Sequence, residues 1–127
     1  MLFRSAASSS SGGAGMLGYA DDGAALASGH RCGFFLLGGY NGSSLANAAG
    51  MEVFATELWS GSANGARIDF VTTANGGTTR NAKMTIHNDG GVEVGSPTGG
   101  NKGAGTINAV AVYDDNTLLT DYVFEKE

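Results

Sequence analysis

Lys102 and five glycines crowd the stretch GSPTGGNKGAGTINA, Gly95 to Ala109, which also holds the only proline of the chain, Pro97. Glycines with a lysine can cradle phosphate. A phosphate loop, however, needs its lysine directly after the last glycine, then Ser or Thr, then a helix. Here Lys102 precedes Gly103, and the residues that follow alternate as a strand does. A dinucleotide fingerprint needs G-x-G-x-x-G between a strand and a helix; GGNKGAG runs that spacing in reverse, with no helix pattern after it. The better reading is conformational: glycines allow sharp turns between short strands and close approach of chains.

Other chemistry is thinly supplied. The histidines are His30 and His87, and the one cysteine is Cys32. A triad or a metal centre needs two or more convergent groups. His30 and Cys32 flank Arg31 in an apparent strand with no third group to orient them, so Cys32 reads as a half-buried structural thiol. No cofactor and no metal ion is expected. Twelve carboxylates are spread over turns and strand faces. A glycosidase needs only two of them at a set distance, so a pair formed between neighbouring subunits stays open. Tyr19, Tyr40, Trp59 and Tyr113 could stack on sugar. For Trp59 the competing role is packing under the adjacent Ser60–Gly65 turn or at a subunit seam.

The elements that would position these residues are short strands. CGFFLLGGY, Cys32 to Tyr40, is a brief apolar run closed by glycines, as a buried strand would be. In MEVFATELW, Met51, Val53 and Ala55 share one face and Glu52, Phe54 and Thr56 the other. ARIDFVTT, Ala66 to Thr73, alternates likewise, and SGSANG between them predicts a hairpin. KMTIH, Lys83 to His87, and VEV, Val92 to Val94, flank the turn NDGG. INAVAVY, Ile107 to Tyr113, reads as one more strand. After Asp114–Asn116, the spacing of Leu118, Leu119, Tyr122 and Val123 predicts a C-terminal helix from residue 117, capped by Asp115 or Asn116. Residues 1–15 are low in complexity and read as a flexible lead-in. Within them Leu2–Ser5 matches the translation of a sequencing-adapter end, so the natural chain is expected to begin earlier; reading those codons tests this. The helix, too, looks cut short at Glu127.

Composition sets a further constraint. Glycine accounts for 22 of 127 residues, and Ile, Leu, Val and Phe together for only 25. About 20% of such residues is the border below which chains tend to stay unfolded. Yet the apolar residues fall in ordered patterns and the net charge is only −5, so the chain is expected to share its core with copies of itself. Seven Lys and Arg make no basic footprint for nucleic acid. No apolar run reaches the length of a membrane span, and the N-terminus lacks the apolar stretch of a secretory signal.

Between Gly39 and Gly95 the turns come in a particular order: GYNG (Gly39–Gly42), Trp59–Ser60, Gly65–Arg67, Thr72–Thr79 and KMTIHNDGGVEVG (Lys83–Gly95). This order resembles a module of tail fibres in tailed bacteriophages and prophages. Asn41 stands where an Asp is common and Lys83 where Arg is usual. Gly95 to Glu125 is similar to the segment that, in many such fibres, leads into an endosialidase-type intramolecular chaperone. That chaperone lies outside these residues, so its self-cleaving chemistry is not expected of them. The resemblance implies an all-β, elongated, intertwined homotrimer without catalysis: a β module over 16–95, a glycine-rich neck with one strand over 96–116, then the helix. It also implies attachment to a host glycan or protein receptor, association with other tail proteins, and a place in the virion tail. Tyr40 and Trp59 would be receptor contacts; Ile107, Ala109 and Ala111 would pack at the trimer axis. A fragment of a polysaccharide-degrading tailspike and a bacterial surface adhesin are the alternatives.

Overall fold

The computed structural model describes Ser10 and residues 12–120. Eight strands follow in order: β1 (Arg31–Tyr40), β2 (Leu45–Ala55), β3 (Ala66–Thr73), β4 (Arg80–Ile86), β5 (Val92–Val94), β6 (Ile107–Ala109), β7 (Tyr113–Asp114) and β8 (Thr117–Leu118). The all-β expectation holds. Strands β1 to β6 form one sheet in sequence order, and β7 and β8 form a separate two-stranded ribbon.

Each link between strands has a local cause. At the β1–β2 turn, the Asn41 carboxamide oxygen accepts the backbone N–H groups of Ser43 and Ser44, both at 2.9 Å. Gly42 supplies the positive φ that this turn requires. Strand β2 starts six residues before the expected Met51, because the LANAAG segment pairs with the glycine-rich end of β1. The expected β2–β3 hairpin forms in register, with Glu52 opposite Asp69 and Val53 opposite Ile68. Strand β4 begins at Arg80, three residues before the expected Lys83, since β3 still offers Thr72 and Thr73 as partners there.

The glycine stretch resolves into a crossover. Residues 95–106 carry the chain from the end of β5 back to β6, which pairs with β5 in parallel. A parallel return needs about a dozen connecting residues. Ser96, Gly99, Gly100, Gly103 and Gly105 all take positive φ in this loop, a conformation that costs glycine little. The segment expected to run on as a neck therefore doubles back and completes the sheet. Strand β6 stops at Ala109 rather than Tyr113. Strand β5 ends at Val94, and after the Val110 N–H bond to its carbonyl (3.2 Å) no neighbour is left to pair with.

The expected helix start is also corrected. Asp115 and Asn116 do not cap a helix; both have positive φ, 49° and 76°. They form the two-residue turn of the β7–β8 ribbon, a geometry that right-twisted hairpins prefer and that Asn and Asp tolerate. Thr117 and Leu118 are therefore strand. The rest of the expected helix, residues 121–127, lies outside the described residues, as does most of the lead-in.

The sheet is a single layer, and its register sorts side chains into uniform rows. Phe35, Met51, Phe70, Met84, Val94 and Ala109 are neighbours across all six strands. So are Gly33, Val53, Ile68, Ile86, Val92 and Ile107. Both rows lie on one face. Between them, on the opposite face, runs Phe34, Glu52, Asp69, Thr85, Glu93 and Asn108. Among the described residues no large side chain is fully buried, and the only buried apolar residues are Ala55 and Val71.

Candidate functional site

The densest chemistry of the fold sits in the polar row. Glu52 and Asp69 are its most buried members, 8% and 7% exposed. In a single layer this cover comes from side chains on the same face. Arg31 lies 4.4 Å from the Phe34 ring centroid and Arg67 lies 4.8 Å from that of Phe54. These stacked guanidiniums roof the carboxylates with apolar ring and aliphatic stem.

Each carboxylate is engaged. Arg31 Nη1 donates to Glu52 Oε1 at 2.6 Å, and Arg80 Nη2 lies 3.5 Å from the same oxygen. Asp69 accepts Arg67 Nε at 3.1 Å on Oδ2 and the Thr85 hydroxyl at 2.9 Å on Oδ1. Further along, His87 Nε2 meets Glu93 Oε2 at 2.8 Å. Glu52 and Asp69 stand directly opposite each other, a like-charge contact that the arginines on the same face offset.

The crossover loop is pinned to this row. Asp89 accepts the Gly91 N–H on one oxygen and the Asn101 side chain on the other, each at 2.8 Å. Gly103 N–H donates to Asn101 Oδ1 at 3.0 Å. Asn108 donates to the Gly100 carbonyl at 2.8 Å. The Gly91 hydrogen bond, then the Asn101 bond and the nearby His87, hold the Asp89 carboxyl below its ordinary 3.8. The amides and carbonyls of Gly100 and Gly103 thus serve the loop itself.

The remaining sequence-selected residues are scattered. His30 Nδ1 accepts the Ala27 amide at 3.4 Å, and Cys32 sits half-buried at the β1 bulge. Tyr40 is exposed at the tip of the β1–β2 hairpin, its hydroxyl donating to the Gly42 carbonyl at 2.9 Å. Trp59 is half-buried, its indole N–H held by the Gly65 carbonyl at 2.9 Å. Tyr40 lies beside the first residue of β2 and Trp59 lies past the last, so the strand's length, about 34 Å, separates them. One chain therefore cannot clamp a sugar ring between the two. Ile107 and Ala109 are brought together on the apolar face at the β6 edge, whereas Ala111 lies beyond the strand.

Among the described residues, no group of three or more His, Cys, Asp or Glu is placed to hold a metal ion. No helix among them is long and apolar enough to cross a membrane. Alternation along ARIDFVTT already put Arg67 on the face of Asp69, whereas only the register brings Arg31 and Arg80 to Glu52. No protein-family model matches the chain, and no curated protein is significantly similar to it.

Proposed function

We propose that this chain is a structural segment of a phage or prophage tail fibre, a homotrimer that contributes to host-surface attachment and carries no catalysis. The observation that carries the reading is the unfilled core: one sheet with two apolar rows across one face, and no second layer among the described residues to cover them. A sheet of this kind reaches stability by burying that face against another layer. Copies of the same chain supply one, in line with the expectation from composition. The ordered turn motifs between Gly39 and Gly95 connect this architecture to fibres.

In that setting the segment belongs to the virion tail. It is assembled in the bacterial cytoplasm beside other tail proteins and acts at the outer cell surface. Of the two aromatic candidates, Tyr40 is the better placed to touch a glycan or protein receptor, since it stands free at a hairpin tip. The rival reading, a polysaccharide-degrading tailspike, is not favoured by Glu52 and Asp69, which arginines already engage. Light scattering coupled to size-exclusion chromatography of the full chain is the test. A mass three times the protomer's 12.8 kDa is expected. A monomer with a cooperative melt would refute the reading.

A further inference from the structure

The two apolar rows end in opposite ways at the two edges of the sheet. At the β1 edge the rows finish in Phe35 and Gly33; at the β6 edge they finish in Ala109 and Ile107. Each large residue therefore shares its row with a small one at the far edge. Phe35 and Ile107 are 57% and 73% exposed. Near the β1 edge, Met16 and Leu17 stand over an open apolar cleft whose floor includes Gly33, Phe35, Met51 and Val53. The fold thus carries a cleft on one edge and a protruding isoleucine on the other.

We propose that the apolar face is the seam between copies of this chain, and that β6 of each copy lies beside β1 of the next. In this seam Ala109 sits against Phe35 and Ile107 enters over Gly33. The inference rests on the trimer reading and specifies its interface. A cleft on one edge that receives a knob from the other makes a heterologous contact, which closes into a ring when the rotation fits. Six strands span about 24 Å, so three such sheets closed into a triangle put the middle strands about 7 Å from the axis. That distance suits Phe70 and Met84, the large side chains of β3 and β4.

The seam covers side chains of the two rows that stand open in the single chain, Phe35, Phe70, Val94 and Ile107. The polar row, with its charges paired, faces away from the seam.

A size swap tests the seam. Within one chain Phe35 and Ala109 lie about 24 Å apart, so substitutions there should not couple. Ala109→Phe is expected to raise the concentration for half-dissociation of the trimer at least about tenfold, and Phe35→Ala in the same chain should recover most of it. Purely additive effects, or an unchanged assembly, would overturn the proposal. If Ala109→Phe does not fold, the Cys32→Ser, Phe35→Cys, Ala109→Cys variant replaces it. A short bis-maleimide should then give covalent trimers, and their absence overturns the seam. A wild-type trimer without coupling would defeat the seam but leave the trimer standing, whereas a monomeric wild type would defeat both.

Discussion

Replacing Asp69 with alanine measures whether the polar row is architecture. The carboxylate is 7% exposed and accepts the Thr85 hydroxyl at 2.9 Å and Arg67 Nε at 3.1 Å. Losing the first bond strands a half-buried hydroxyl, at a cost of about 2 kcal/mol for a bond to a charged group. Arg67 keeps about a third of its side chain in water, so screening reduces its share to about 0.5 kcal/mol. One effect runs the other way. Glu52 is directly opposite Asp69, and removing a like charge from that position returns about 0.5 kcal/mol. The net loss is about 2 kcal/mol, or a fall in Tm of about 7 °C for a chain of this length. Differential scanning calorimetry at one fixed protomer concentration reads it, since an assembling protein melts at a concentration-dependent temperature. Asp69→Asn keeps an acceptor for Thr85 and should lose less than half as much. A shift below about 2 °C for Asp69→Ala would refute the structural account. Loss of polysaccharide cleavage by a variant with unchanged Tm would return the carboxylates to catalysis.

Two further outcomes follow from the turns. Gly38→Ala would drive its Cβ into the Ala46 carbonyl oxygen and to 2.7 Å from Asn47 Cα, whereas Gly39→Ala meets open space. Faster amide exchange at Leu45–Asn47 and a loss of about 2 kcal/mol are expected for the first and almost nothing for the second; equal behaviour would discredit the hairpin register. For Asp89, a folded pKa below 3.8 means that its contribution is complete above the unfolded value and is lost as the pH falls through the folded one. Asp89→Asn should therefore be less stable than wild type at pH 6, by a margin that shrinks as the pH falls below 3.8; a margin independent of pH would remove the titration from the cause.

Strand identity was largely written in the residues. Alternation in ARIDFVTT and turn chemistry at NDGG placed β3 and β5, while β4 began three residues and β2 six residues before the expected starts. Those are local properties, decided by which neighbours a side chain meets two residues away and which φ a turn residue tolerates. The shortage of large apolar residues is matched among the described residues by a buried apolar set of only Ala55 and Val71. Misreadings came where local signals were even. Thr117 and Leu118 open a stretch with the spacing of a helix, but Asp115 and Asn116 with positive φ turn these two residues into a ribbon.

Register and crossover belonged to the tertiary structure alone. No short window could reveal that Lys102 and its glycines lead back to the same sheet, because the partner of β6 lies across the loop at Val92–Val94. Nor could alternation foretell that Glu52 would be among the best-covered polar groups, since Arg31 and Arg80 reach it from two other strands. The sequence by itself determined which residues face the same way along each strand. Only the pairing of strands decided which faces align across the sheet, and so produced two unbroken apolar rows with a charged row between them. A side chain's direction follows from its own backbone, whereas its neighbours across the sheet depend on where distant segments stop, turn and return.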